Sequence, residues 1–226
     1  MQYSIRFLVE EINKAFNLIE PIYEIGSFLV EGQEDLADLR PLFADKTYIG
    51  CDIREGKGVD RIEDAEKLSM DDGSVGTVLI LETLEHVQNP FLAFREIYRV
   101  LMDDGVVVVS SVMDFEIHDH PNDYWRFTPE AFKLLLKEFP NKIIISQGDD
   151  KFPLSIIGIG FKSPKVKIKD ADVSKMIGNF TEKYNKYFQL TVRGRIKLFL
   201  ARLFRMYETE RRLVLSSKIR YQIVTA

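Results

Sequence analysis

The chain has 226 residues, 46% of them hydrophobic, with 16 Phe, 31 Lys and Arg against 35 Asp and Glu, and a formal net charge of -4. That is enough apolar material for one catalytic domain with an appendage, and it excludes a largely disordered chain. Its one cysteine, Cys51, excludes an internal disulfide; no apolar run approaches the ~20 residues of a membrane span, and the N-terminus lacks the basic flank of a signal peptide, so a cytoplasmic protein is expected.

The charge is divided unevenly. From Lys165 onward there are 15 basic and 5 acidic residues, which leaves 16 basic and 30 acidic in residues 1–164. The expectation is a domain over 1–164 and a basic, largely helical extension over 165–226 that meets either an anionic surface or its own acidic domain.

In chain order, Tyr23 to Gly26 reads as a short apolar strand ending in a glycine turn, Pro21-Ile22-Tyr23-Glu24-Ile25-Gly26-Ser27. A helical pattern follows from Glu34 to Phe43, and a second strand, Thr47 to Asp52, closes on an acid. Only Arg54-Glu55-Gly56-Lys57-Gly58 and a few neighbours separate Asp52 from Asp64-Ala65. A parallel crossover normally takes a dozen or more residues, so the strand beside the second one is expected to be short, displaced or missing. Val75 to Leu81 is a third buried strand. Asn89-Pro90 starts a helix to Leu101 with Phe91, Phe94, Ile97, Tyr98 and Leu101 on one face, and Gly105 to Ser111 is another strand. Thr128 caps a helix that runs through Phe139 and stops at Pro140, and Lys142 to Gln147 and Leu154 to Phe161 complete the sheet. None of the early strands alternates with polar residues, as expected of parallel strands covered on both faces. Strands alternating with helices predict an α/β fold with a doubly wound, mostly parallel sheet.

Glu24 to Ser27 followed by an Asp at the end of the next strand resembles the class I S-adenosylmethionine-dependent methyltransferases, over about residues 20 to 162. The resemblance implies their Rossmann-like sheet, with the last strand antiparallel beside its neighbour, and S-adenosylmethionine as cofactor. The ligand carries a sulfonium cation, a ribose diol, an adenine and an amino-acid end, and its pocket needs acceptors, close backbone approach and an apolar slot. Asp52 fits the diol, Ile53 an adenine face, and Glu24, Gly26 and Ser27 the first turn, where glycine removes an obstructing Cβ. Asp64-Ala65 resembles the family element that meets the adenine amino group, and Glu82 lines the pocket. Phe28 departs from the family, which carries a second glycine there, so the first loop takes another path.

Leu81-Glu82-Thr83-Leu84-Glu85-His86-Val87 falls at the carboxyl edge of the sheet, where open α/β folds bind ligands. Its spacing is similar to metal-binding elements of ubiquinone-pathway and small-RNA O-methyltransferases, in which Glu82, Glu85 and His86 would hold a divalent ion with His118 or His120 as a further ligand. The alternative has Glu82 at the cofactor, Glu85 in solvent and His86 packed or hydrogen-bonded near the first turn of the next helix; no metal is assigned. Between Ile117 and Pro129 lies a loop with two of the three histidines and the only tryptophan, in which Tyr124, Trp125 and Phe127 are expected to anchor the segment and Arg126 to pair with an acid. His120 is assigned as the base that takes a hydroxyl proton, with His118 and Tyr124 as substrate contacts. The run His120 to Pro129 resembles a methyltransferase type 11-like subgroup often associated with bacterial polysaccharide synthesis, which implies a sugar or glycan hydroxyl as acceptor. Cys51 is read as structural.

Val192, Ile196, Phe199, Leu203 and Met206 recur at helical spacing among Arg193, Arg195, Lys197, Arg202 and Arg205. This basic amphipathic helix suits packing on the domain, a second subunit in a homodimer, or an anionic membrane at its inner face; nucleic acid is not favoured. A non-catalytic scaffold that kept the fold, with the basic tail as an interaction module, is the rival to the enzyme.

Overall fold

The computed structural model describes residues 3–118, 122–187 and 218–225. The strands are β1 (Ile22–Ile25), β2 (Tyr48–Asp52), β3 (Arg61–Ile62), β4 (Val75–Leu81), β5 (Leu101–Val112), β6 (Asn141–Gly148), β7 (Pro153–Phe161) and β8 (Ile219–Thr225), and the helices α1 (Tyr3–Phe16), α2 (Glu34–Ala37), α3 (Pro90–Val100), α4 (Pro129–Leu135) and α5 (Asp170–Tyr187). All eight strands form one sheet in the order β3-β2-β1-β4-β5-β7-β6-β8. The strands from β3 to β5 pair in parallel, and β7 is antiparallel to both β5 and β6. The expected doubly wound, mostly parallel fold is the one observed.

Two apolar layers sandwich the sheet, and the side-chain period of a strand decides which residue serves which. In β4, Val78 and Ile80 join the layer made by Ala93, Phe94 and Ile97 of α3 and Phe132 of α4. Leu79 and Leu81 join the other, made by Ile5, Leu8 and Ile12 of α1 and Val173, Met176 and Phe180 of α5. Every residue of β4 is buried, which explains why its sequence shows no polar alternation. In β7 the alternation is Ile against Gly. Ile157, Ile159 and Phe161 face the α1/α5 layer, while a Cβ on Gly158 or Gly160 would lie 2.8 Å from Leu136 atoms. Glycine on that face lets the end of α4 close onto the sheet.

The helix expected over Glu34 to Phe43 is broken. α2 stops at Ala37, Asp38 is extended, and a 3-10 turn spans Arg40–Phe43. Pro41 is the reason: it has no N–H to donate and its ring would clash with the Ala37 carbonyl in a continuous helix. α4 is shorter than expected, ending at Leu135, although Phe139 beyond it remains buried. Its start is as read, with Thr128 Oγ1 accepting from the Ala131 N–H at 3.2 Å, and the Asn89 side chain caps α3 by accepting from the Leu92 N–H at 3.1 Å. The short crossover produces a short neighbour: β3 has two residues, paired with Cys51 and Asp52.

α1 and β8 are elements that the sequence reading did not name. β8 pairs antiparallel with β6 along its length, from Asn141 opposite Thr225 to Gln147 opposite Ile219. α5 packs beside α1, and two basic residues of the extension meet acids of the first part, Lys183 with Glu10 and Arg220 with Asp150. The predicted amphipathic helix at 191–206 lies outside the described residues. Among the described residues no helix is long and apolar enough to cross a membrane.

Candidate active site

The carboxyl ends of β1 to β5 converge on one cavity of about 740 Å³, within the size range of small-molecule sites. Glu24, Gly26, Ser27, Asp52, Ile53, Asp64, Ala65 and Glu82 all line it, as do His118 and Tyr124. The sequence placed the first eight at or just after strand ends and His118 and Tyr124 in a loop, and the parallel sheet brings those ends together under that loop. His120, assigned as the base, lies outside the described residues.

The first turn is held by its backbone. The N–H groups of Gly26 and Ser27 both donate to the Cys51 carbonyl, at 2.7 and 2.9 Å, and the Ser27 hydroxyl donates to the Gly58 carbonyl at 3.0 Å. Gly26 has a φ of 90°, a conformation open to glycine and strained for other residues. Phe28, where the family carries glycine, turns its ring toward the short crossover. A Cβ on Gly56 would lie 2.3 Å from the Phe28 ring, and the Arg54 guanidinium sits 4.3 Å from the ring centroid. The two departures from the family pattern therefore accommodate each other: the ring occupies space beside a crossover that has no helix.

Asp52 is buried, 5% exposed. Its Oδ1 accepts from the Arg54 N–H at 2.9 Å and from Arg54 Nε at 3.0 Å, whereas Oδ2 has only long contacts, 3.4 Å from Phe28 N and from Arg54 Nη2. Oδ2 thus retains acceptor capacity toward the cavity. Ile53 beside it is 60% exposed, an apolar surface that an adenine face would cover. Asp64 is exposed, its Oδ1 accepting from the Glu66 N–H at 2.9 Å. Cys51 is fully buried and its thiol is pushed up to about 12, first by burial, so it is no nucleophile.

Two acids are held in an unusual state. Glu24 is buried, and burial pushes its carboxyl up to about 7 even though Tyr48 donates its hydroxyl to it. Glu85 was expected in solvent; it is instead completely buried, because the Leu84–His86 3-10 turn directs it inward against β5. Its Oε2 accepts from Ser111 Oγ at 2.9 Å, and burial, with the Glu82 charge adding to it, pushes this carboxyl up to about 7. Glu82, at the end of β4, has a φ of 46°, rare for a residue with a side chain and typical of strained functional turns. Its N–H donates to the Ser110 carbonyl at 3.0 Å, which fixes the turn.

The loop after β5 folds over the cavity. Phe127 is its buried anchor, while Tyr124 and Trp125, expected in the core, are 45% and 41% exposed. The segment is tied down by the Tyr124 backbone N–H donating to the Glu85 carbonyl at 2.8 Å and by the Trp125 indole Nε1–H donating to the Val87 carbonyl at 2.9 Å, with both rings partly exposed. Arg126 pairs with an acid as expected, Asp123. The guanidinium holds the Asp123 carboxyl well below the usual carboxylate range, and Asp123 accepts in turn from the His118 N–H at 2.9 Å. His86 Nδ1 lies 2.5 Å from the Asn122 carbonyl, a contact with this loop. Sequence reasoning missed Asp123, whose only mark is its i,i+3 spacing to Arg126, and Ser111, which nothing in a run of valines and serines marks out.

Residues 36–109 match the model of a family described as a methyltransferase domain. No curated protein sequence matches the chain. Among solved structures, the YcgJ protein of Bacillus subtilis is 14% identical over 70% of this chain and 99% of its own, with a TM-score of 0.50. The CurJ carbon methyltransferase is 15% identical over 70% of this chain and 54% of its own, with a TM-score of 0.52. A methyltransferase of Thermotoga maritima, described as a possible histamine N-methyltransferase, is 20% identical over 71% and 92%, with a TM-score of 0.49. At these identities the first two likenesses speak for the fold. The matched domain implies methyl transfer as the reaction and S-adenosylmethionine as the cofactor.

Proposed function

We propose that this chain transfers the methyl group of S-adenosylmethionine to a hydroxyl of a sugar or glycan intermediate. The observation that carries the cofactor half is the convergence of Asp52 Oδ2, Gly26, Ile53 and Asp64 on one cavity: an acceptor for a diol, a place for close backbone approach, an apolar surface and a second acceptor. Glu24, Glu82 and Glu85 line the same cavity, an acidic surround suited to a sulfonium cation.

The acceptor half rests on the loop after β5. Phe115, His118, Asn122 and Tyr124 line the cavity, and Phe115 and Tyr124 are partly exposed there. Aromatic rings beside imidazole and amide groups match a sugar, which has flat C–H faces and hydroxyls at its edge.

S-adenosylmethionine supplies an electrophilic methyl: the C–S bond breaks with its electron pair to sulfur as a C–O bond forms and the hydroxyl proton leaves. The protein's part is to align the two reactants, which is worth on the order of 10⁵ M or more in effective molarity for well-oriented pairs, and to receive the proton. His120 is the residue assigned to receive it, from the loop that also carries His118. No covalent nucleophile is required.

The test is mass spectrometry of products after incubation with methyl-labelled cofactor and a panel of nucleotide sugars, lipid-linked saccharides, amines and carbon acids. Label on a sugar oxygen is expected. Label confined to nitrogen or carbon acceptors would overturn the acceptor class, and a folded chain that binds no cofactor at millimolar concentration would overturn the enzyme reading.

A further inference from the structure

The loop between β5 and α4 carries its strongest ion pair inside and its apolar side chains outside. The Asp123 side chain is 1% exposed, pairs with Arg126 and accepts from the His118 N–H. The Arg126 guanidinium also donates to the carbonyls of Phe115 and Glu116, at 3.3 and 3.0 Å, and so straps the outgoing arm of the loop to the returning one. Ile117, held between these bonds, is 85% exposed, and Phe115, Tyr124 and Trp125 are each more than a third exposed. A buried ion pair beneath an exposed isoleucine and three exposed rings is the reverse of what water selects for a loop. The strap keeps the apolar groups from collapsing inward.

This face adjoins the cavity. Phe115, His118 and Tyr124 line the cavity, whereas Ile117 and Trp125 are not among its lining residues, so the apolar surface runs outward from the mouth. Whatever covers it stands at the rim of the entrance and has to admit the methyl acceptor. A bilayer in which the acceptor is anchored meets both conditions, and a protein seated there would stand in the entrance. Tyr and Trp beside aliphatic side chains are also the residues of membrane interfaces. Trp125 is prepared for such a medium: its indole N–H, a donor only, is already spent on the Val87 carbonyl at 2.9 Å, so the ring can leave water without stranding a polar group. Glu116 beside Ile117 is exposed and acidic, which makes apolar contact, not attraction to anionic lipid, the force that would hold this face.

We propose that this loop docks on a lipid bilayer, with Phe115, Ile117, Tyr124 and Trp125 entering its interface, and that the acceptor is a lipid-linked saccharide whose sugar reaches from that interface into the cavity. The acceptor half rests on the sugar reading above, and the docking half stands without it. This surface is distinct from the basic segment predicted at 191–206, whose attraction to a membrane would be electrostatic.

Trp125 is the only tryptophan of the chain, so its fluorescence reports on this loop alone. The full-length chain is titrated with phosphatidylcholine vesicles at high salt, where the charges of the C-terminal segment are screened. Trp125 emission is expected to shift to shorter wavelength and to be quenched by brominated lipid, and Ile117→Asp is expected to weaken vesicle binding at least ~10-fold, the worth of burying an aliphatic side chain. Vesicle binding with Trp125 emission unchanged, no binding at all, or binding unchanged by Ile117→Asp would overturn the docking surface. A shift that grows with protein concentration without vesicles would assign the face to a second copy and overturn it as well. Methyl transfer by Ile117→Asp completes the test: at least ~10-fold lower kcat/KM on a lipid-linked saccharide in vesicles is expected, with a soluble sugar acceptor unaffected. Docking without transfer to any sugar defeats the sugar reading alone, and transfer to sugars without docking defeats the bilayer surface alone.

Discussion

A Cβ placed on Gly26 would lie 2.1 Å from Oγ1 of Thr83. The turn that ends β1 and the turn that ends β4 therefore meet with no room for a side chain, and the floor of the cavity is their contact. Gly26→Ala adds this clash to a φ of 90° and is expected to destabilise the chain by on the order of 2–4 kcal/mol. Thr83→Gly in the same chain should relieve the clash and leave only the conformational part, about 1–2 kcal/mol. Urea unfolding of the single and double variants measures both; a Gly26→Ala variant as stable as the parent would refute the contact.

Asp52→Ala is expected to weaken S-adenosylmethionine binding at least ~10-fold, the worth of a charge-assisted hydrogen bond. Asp52 also ties Arg54 and Phe28 to the end of β2, so some loss of stability accompanies the change, but the sheet is not built on it. Calorimetry with a parallel melting curve separates the two effects, and unchanged affinity would remove Asp52 from the ribose site.

Glu24 and Glu85 both titrate near pH 7 because burial disfavours their charge. The folded state thus keeps protons that the unfolded state releases above its ordinary carboxyl range near 4.5. Each group's contribution is full below that range and declines as pH rises from about 4.5 to 7, by on the order of 3 kcal/mol per group. Asp123, depressed by Arg126, has the opposite sign but acts only as pH falls through and below the ordinary Asp range. Stability against pH, compared between the parent and Glu24→Gln, should show the parent losing ground to the variant as pH rises from 4.5 to 7. A constant difference across that window would contradict the buried, protonated carboxyl.

The same two groups link cofactor binding to pH. A sulfonium or ammonium beside them favours their ionised forms, so binding near pH 7 releases protons and affinity falls as pH drops below about 7. Calorimetry in buffers of different ionisation enthalpy reads the protons directly, and buffer-independent heats would refute the linkage.

Removal of β8 by ending the chain before Ile219 should destabilise the fold and promote self-association. β8 covers the outer edge of β6, and Ile219, Tyr221 and Ile223 pack on the α1/α5 layer, with Tyr221 donating its hydroxyl to Asp170 Oδ1 at 2.8 Å. An uncovered apolar edge strand is a template for pairing with other chains. Sedimentation and unfolding of the truncated chain test it; a monomer of parental stability would show the strand to be dispensable.

What the residues declare by themselves is whatever depends on neighbours in sequence. Val75 to Leu81 and Gly105 to Ser111 announce buried strands because both faces are covered and no polar residue can intervene. Thr128 and Asn89 announce helix starts because a cap bonds to a backbone N–H within the same turn. Asp52, Gly26 and Asp64 announce a ligand site because they stand at strand ends, and parallel topology carries such ends to one edge. The same local reading failed at Pro41, where one missing N–H outweighed a helical pattern, and it missed β8, whose place on β6 depends on a partner more than 70 residues away. It also left Glu85 in solvent and the Tyr124 and Trp125 rings in the core, the reverse of what is found. Burial of those side chains is decided by how the turn after β4 and the loop after β5 fold against each other, through bonds such as Tyr124 N–H to the Glu85 carbonyl. Contacts between segments distant in sequence leave no periodicity to read, so the sequence determined which strand ends meet at the cavity, and only tertiary packing decided that Glu85, His86 and His118 come together beside it.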